Sequence, residues 1–427
     1  MSWNSLEPVR AGVERLGECL IPSPIGRRVA ETITLPGVDG GPPVLFEKAG
    51  PKDRIFFDPQ KTRAAMVTCG GLSPGLNNVL RSIFLELHYH YGVPEVLGIR
   101  YGYAGLDPAN GHEPVVFTKD LVHGIQNKGG TVLGTSRGPV DPAVALDFLQ
   151  SRGINVLFCI GGDGTQRGAH RLHEEAQRRG FPLAVVGVPK TIDNDIDFVW
   201  ETFGYSTAVE EAAHIIDSAH AEAKSVLNGV GLVKLMGREA GFLACGATLA
   251  SQEVNFTLIP EVPFALEGDD GFLEHLRRRL LSRRHAVVVL AEGAGQELVA
   301  GGQELDKSGN LKLKDSGREL RRIIQEFFAR ENMPVDVKYF DPSYIVRSRP
   351  ANKDDALLCD RFARCAVHAA MAGRTDMLIG LWYNVFVHVS IPMATAQKRR
   401  VNPGSEVWSA VLSSTGQPPR MGALPNP

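Results

Sequence analysis

The segment Val188-Pro189-Lys190-Thr191-Ile192-Asp193-Asn194-Asp195 sets two carboxylates two residues apart, with a hydroxyl and an ammonium on the same loop. In an extended segment, residues separated by two share a face, so Asp193 and Asp195 are expected to point into one cleft. A carboxylate touching an acceptor hydroxyl can take its proton as phosphoryl transfer proceeds, while a second carboxylate helps hold a metal. The other reading of these residues is an Asp-Asn-Asp turn with no catalytic role.

Two glycine loops offer the phosphates for such a reaction. Gly70-Gly71-Leu72-Ser73-Pro74-Gly75 follows an apolar run and opens a helical pattern. Free backbone N–H groups and the positive helix end favour phosphate there, and glycines let the backbone approach it. Ile160-Gly161-Gly162-Asp163-Gly164-Thr165 has the same setting and adds a carboxylate. Magnesium prefers one or two carboxylates plus waters and phosphate oxygens, which one Asp in a glycine loop can offer. A plain turn is the alternative for each loop. The second pattern also occurs in diacylglycerol and NAD kinases, so it speaks for a nucleoside triphosphate more than for the acceptor.

Taken together with further motifs in a fixed order, the acidic loop resembles the catalytic loop of 6-phosphofructokinases. The others are Arg100-Tyr101-Gly102-Tyr103-Ala104-Gly105-Leu106, Leu133-Gly134-Thr135-Ser136-Arg137, Phe203-Gly204-Tyr205-Ser206-Thr207-Ala208, Met236-Gly237-Arg238, Ile259-Pro260-Glu261 and Tyr344-Ile345-Val346-Arg347. The resemblance runs from about residue 45 to 390. It implies that Asp193 is the base toward the 1-hydroxyl of fructose 6-phosphate and that Asp163 binds Mg2+, with Asp195 assisting. It makes Thr191 a contact to the acceptor and the transferring phosphoryl group, lets Arg137 bridge the phosphates of donor and sugar, and counts Lys190 with these and Asp193 among the catalytic residues. Met236, Gly237, Arg238 and Glu261 resemble sugar-binding positions, and Arg347 an arginine that reaches the sugar or its phosphate. The donor would lie along Gly71, Tyr103, Gly162, Asp163, Gly164 and Thr165.

Departures from the short bacterial pattern qualify this transfer. There, two arginines of a neighbouring subunit hold the 6-phosphate; the matching positions here are Gly229 and Lys338. Lysine keeps the charge without the bidentate fork, and glycine offers only backbone. Tyr344 stands where the short branch has histidine. These changes, the N-terminal extension and the run Lys338 to Tyr344 resemble the long enzymes of plants and trypanosomes, which implies a homo-oligomer, expected as a tetramer. Allosteric effectors vary across the family, and no arginine is assigned to one.

The donor is expected to be ATP. Pyrophosphate users typically carry a second Asp where this chain has Gly164, and the glycine leaves room for a nucleotide. Lys190 is typical of pyrophosphate users, but a nearby lysine does not exclude ATP. A pyrophosphate-dependent enzyme is the close alternative. A non-catalytic metabolite-sensing subunit is the distant one, against which the presence of Asp163, Asp193 and Asp195 speaks.

The elements that must position these residues are legible as a texture. From Ala64 onward, short apolar runs bounded by glycine alternate with helical patterns: Ala64 to Cys69, Val96 to Ile99, Ile154 to Ile160, Leu183 to Val188, Val230 to Leu235, Ala286 to Leu290 and Met377 to Leu381. Such runs predict strands buried on both faces of parallel sheets. Leu76, Val79, Leu80, Ile83, Phe84 and Leu87 follow helical spacing. The fold class expected is α/β, with two doubly wound Rossmann-like domains facing each other and sites at the C-terminal ends of strands. The divisions are an N-terminal extension over 1–62, an ATP-binding catalytic domain over 63–204 completed by about 346–397, a fructose 6-phosphate-binding domain over 205–345, and a C-terminal tail over 398–427.

Bulk properties fit a globular enzyme. The 427 residues are 43% hydrophobic and 22% charged, with a formal net charge of -2. That balance gives no pull toward nucleic acid or anionic membrane. Six cysteines without a CxxC pair, no basic-then-apolar leader and no apolar run of about 18 residues predict a cytoplasmic protein outside membranes.

Overall fold

The computed structural model describes residues 8–25, 32–299 and 313–422. The chain divides into two compact units: unit 1 holds 1–191, 196–204 and 348–398, and unit 2 holds 192–195, 205–347 and 399–427.

Unit 1 is built on a ten-stranded sheet. Its middle strands, Glu95–Ile99, Arg63–Thr68, Val156–Gly161, Ala184–Pro189 and Met377–Trp382, pair in parallel in that spatial order. Because successive side chains alternate across a strand, each apolar run feeds two cores. Met66, Phe158, Val186 and Val188 pack with the helices Leu76–Leu85 and Lys353–Met371 on one face. Ala65, Val67, Leu157, Cys159 and Val185 pack with Pro142–Ser151 and Asp163–Arg178 on the other. The seven apolar runs picked out of the sequence are all strands.

The 1–62 stretch, as far as it is described, builds part of unit 1. Thr32–Leu35, Val44–Lys48 and Val9–Arg10 extend the sheet beyond Val385–Ser390, and Glu14–Arg15 pairs antiparallel with Arg374–Thr375. Glu47 anchors this edge: its carboxylate meets the Arg374 guanidinium at 2.8 Å and Lys52 at 3.1 Å, all three largely buried. Residues 1–7 and 26–31 of the expected extension lie outside the described residues.

Unit 2 has a four-stranded parallel sheet ordered Phe256–Leu258, His285–Ala291, Gly229–Leu235, Asp336–Phe340. Tyr205–Lys224 and Phe242–Ser251 cover one face, Phe272–Arg283 and Ser316–Arg330 the other.

The 398–427 segment differs from the tail expected. Glu406–Thr415 is a helix that buries Trp408 and Val411 in the unit 2 core. Beyond it, the Gln417 amide takes both backbone groups of Thr257, at 2.6 and 3.2 Å. The flanking Pro, Gly and Ser made the segment read as a tail, while Val407, Trp408, Val411 and Leu412 carry helical spacing within it. Residues 423–427 lie outside the described set.

Candidate active site

In unit 1 the candidate donor residues sit at the C-terminal ends of three neighbouring strands. After Arg63–Thr68 the chain turns through Gly70, whose φ of +84° suits glycine. The turn is sewn to the segment preceding Arg137: Gly70 donates its N–H to the Ser136 carbonyl at 2.9 Å, and the Thr135 hydroxyl donates to the Gly70 carbonyl at 2.7 Å. The Thr68 hydroxyl adds a bond to the Gly134 carbonyl at 2.8 Å. Arg137 thus leaves a backbone fixed against the first glycine loop.

The second loop follows Val156–Gly161 and enters the helix Asp163–Arg178 with Gly162 at its N-cap. At Gly161 a β-carbon would collide with the Thr165 side chain, so the tightness of this turn requires glycine. At Gly164 a β-carbon would meet nothing within 4 Å. Asp163 lies in the first helical turn, its carboxylate mostly buried and 3.1 Å from the Arg167 guanidinium. A negative charge is favoured at that end of a helix.

Lys190 joins the two loops. It is buried, its Nζ donates to the Gly71 carbonyl at 2.6 Å, and its backbone N–H donates to the Gly161 carbonyl at 3.1 Å. Thr191 follows, with its carbonyl accepting from the Thr202 hydroxyl at 2.7 Å.

Tyr103, expected along the donor, is a core residue at 4% exposure. Its hydroxyl donates to the Thr165 carbonyl at 2.6 Å, its ring packs where a β-carbon on Gly168 would stand, and burial holds its phenol protonated. It braces the start of the helix. Gln166 does related work that sequence reasoning missed: fully buried, it donates to the Gly161 carbonyl at 2.9 Å. Its place with Ala169, His173 and Ala176 on the buried helix face was the available signal.

Residues 192–195 group with unit 2 because Ile192 packs into its core and the Arg399 N–H donates to the Asp195 carbonyl at 3.0 Å. The segment is not simply extended. Asn194 has a φ of +55°, a left-handed conformation that asparagine tolerates. Burial nonetheless alternates, with Ile192 and Asn194 inside and Asp193 and Asp195 partly open.

Elsewhere in unit 2, Met236, Gly237 and Arg238 follow the strand Gly229–Leu235. Gly237 has a φ of +128°, and its carbonyl accepts the Gly293 N–H at 3.0 Å. Glu261 accepts the Gly241 N–H at 2.9 Å and the Val401 N–H at 2.8 Å; burial, only partly offset by these bonds, raises its pKa. Glu292 had no sequence signal. It is shielded enough to raise its pKa, against the pull of Arg238, Lys234 and Arg347. Lys234 pairs with Asp341 at 2.8 Å, so Asp341 of the run Lys338 to Tyr344 is occupied with the sheet's own lysine.

The phosphate-side candidates differ in their surroundings. Lys338 is partly exposed and pairs with Asp336 at 3.0 Å. Tyr344 is 76% exposed, with the Arg347 guanidinium 4.7 Å over its ring. Gly229 is buried, and any β-carbon there would strike the Ala223 carbonyl, which bars an arginine at that position.

A family profile described as Phosphofructokinase matches residues 63–370. The chain belongs to the phosphofructokinase family. Within that family it is 49% identical to the ATP-dependent 6-phosphofructokinase of Borreliella burgdorferi over 382 residues, which are 88% of this chain and 86% of that one. It is 46% identical over 387 residues to ATP-dependent 6-phosphofructokinase 7 of Arabidopsis thaliana (90% and 79% of the two chains). It is 44% identical over 376 residues to the ATP-dependent 6-phosphofructokinase of Trypanosoma cruzi (87% and 77%). Among solved structures, the fold is similar to that of the pyrophosphate-dependent phosphofructokinase of Marinobacter aquaeolei, with a TM-score of 0.69 and 18% identity over 86% of this chain and 94% of that one. No described helix of this phosphofructokinase-family chain is long and apolar enough to cross a membrane.

Proposed function

We propose that the protein transfers the terminal phosphoryl group of ATP to the 1-hydroxyl of fructose 6-phosphate, giving fructose 1,6-bisphosphate and ADP, the phosphofructokinase step of glycolysis. The open space around Gly164 is the observation that carries ATP as donor: the position next to Asp163 has room for a side chain and lacks one. That room suits a nucleotide behind the transferring phosphate.

In this reading Asp193 accepts the proton of the 1-hydroxyl as the oxygen bonds to phosphorus. Thr191 and Arg137 orient the transferring group, and Lys190 fixes the backbone of both glycine loops through the bonds to Gly71 and Gly161. Gly71, Gly162, Gly164 and Thr165 leave backbone close to the donor, with Tyr103 acting through Thr165. Arg238, Arg347 and Lys338 supply positive charge for the sugar phosphate, while Met236, Gly237, Glu261, Asp195 and Tyr344 shape its surroundings. Phosphoryl transfer asks mainly for positioning and charge neutralisation, so no covalent nucleophile is needed. Asp163 fits Mg2+, being a carboxylate at a helix start with open space at the next residue. When bound, the ion would neutralise phosphate charge.

We place the protein in a reducing compartment such as the cytoplasm, supported by six free thiols, and assign it a homotetrameric assembly. Lys190 is the one residue favouring pyrophosphate. The test is a coupled assay of fructose 1,6-bisphosphate formation with Mg-ATP or Mg-pyrophosphate: turnover with ATP supports the assignment, and turnover with pyrophosphate alone replaces it.

A further inference from the structure

Away from these residues, unit 1 holds a second constellation of metal-ligating side chains. Glu14, His173 and Asp376 each direct one ligand atom into a common space, all within 4.8 Å of one another. They come from three elements far apart in sequence: the strand Glu14–Arg15, the helix Asp163–Arg178 and the residue after Arg374–Thr375. His173 and Asp376 are buried. Asp376 is held with a φ of +50° by the Ile391 N–H, which donates to its carbonyl at 2.9 Å.

The tautomer of His173 is what turns this cluster into a site. The Thr375 hydroxyl accepts the Val185 N–H at 3.1 Å and donates its single hydrogen to the Leu183 carbonyl at 3.1 Å. With the hydrogen on that carbonyl, a lone pair faces His173 Nδ1, 3.2 Å away, and Nδ1 carries the ring's proton. In the neutral ring Nε2 is then an acceptor, and it lies 3.1 Å from Glu14 Oε2, another acceptor. Two lone pairs at that distance repel unless a proton or a metal ion lies between them. Around the rim, Gln177 donates to the same Glu14 oxygen, and His170 Nδ1 lies 2.9 and 3.0 Å from the two Asp376 oxygens. A histidine whose far nitrogen is fixed by a hydrogen bond, with carboxylates themselves hydrogen-bonded, is the outer arrangement that metal ligands require.

We infer that Glu14, His173 and Asp376 form a binding site for a divalent transition-metal ion of the zinc class. An imidazole beside two carboxylates selects zinc over magnesium, which separates this site from Asp163. Zinc bonds of about 2.0–2.2 Å draw the three ligand atoms closer together, and Glu14, whose side chain is nearly half exposed, has the freedom to close in. An ion there ties the N-terminal strand to the helix that begins at Asp163.

The test is calorimetric titration of the chelator-treated full chain with zinc, alongside melting curves and the visible absorption of the cobalt-substituted protein. One equivalent should bind, survive millimolar magnesium and raise the melting temperature. His173→Gln should lose that equivalent, and Glu14→Gln should weaken it at least tenfold. Glu14→Gln alters a partly exposed side chain, so it reports even where His173→Gln folds poorly. A wild type that takes up no zinc assigns the cluster to a protonated His173 ion pair and overturns the inference. Variants that retain the equivalent, or its displacement by magnesium, overturn it as well.

Discussion

Replacing Asp193 with Asn keeps the side-chain volume and removes the proton acceptor. kcat should fall about 10²- to 10⁴-fold, with KM for fructose 6-phosphate and the melting temperature little changed, as steady-state assays and a thermal scan will read. Gly164→Asp tests the donor. The site has space for the side chain, so the fold should hold, while a second carboxylate beside Asp163 repels the nucleotide phosphates; kcat/KM for ATP should drop at least tenfold. At this scale the ordered motifs single out Asp193, Asp163, Arg238 and Arg347 as candidates in the amino-acid sequence itself. Gln166, Glu292 and the bracing role of Tyr103 are not, because each is defined by a partner or a burial that only the folded chain creates.

The second glycine loop depends on how closely the helix Asp163–Arg178 lies on its neighbour. A β-carbon at Gly168 would come within 2.5 Å of the buried Tyr103 ring, so Gly168→Val must push the helix outward. Overpacking of this kind costs about 1–3 kcal/mol; a lower melting temperature together with a raised KM for ATP is the expected result. Long buried strands are readable because continuous apolar runs leave few other structures. The two-residue strands of the N-terminal segment and the Glu406–Thr415 helix are not, since partners distant in sequence define them, Val44–Leu45 for Val9–Arg10 and Arg374–Thr375 for Glu14–Arg15, and their composition resembles loops. The alternation argument for Asp193 and Asp195 captures their exposure but misses the left-handed Asn194 between them.

Across the molecule, acid should weaken unit 1. Burial, reinforced by Arg364 and His90, lowers the His368 pKa from 6.5 to about 4. Its Nδ1 lies 2.9 Å from the Tyr91 hydroxyl. With the folded value below the unfolded one, the unfolded chain binds the extra proton between those limits, so stability is full above pH 6.5 and falls toward pH 4. The loss is about 3 kcal/mol. Glu47, whose carboxyl burial would raise but His388 and Arg374 hold far below 4.5, adds a loss in the same direction at still lower pH. Melting temperatures across that range should show the decline, and His368→Gln should flatten its upper part. Unit 2, by contrast, closes on residues 399–422, the last described part of the chain, whereas 348–398 complete unit 1. On the ribosome, the unit 1 segments that carry the two glycine loops are therefore made before the Asp195 carbonyl meets Arg399 or Glu261 meets Val401. A chain stopped at residue 398 should melt lower in unit 2 and form no fructose 1,6-bisphosphate, because Trp408 and Val411 are then missing from the unit 2 core.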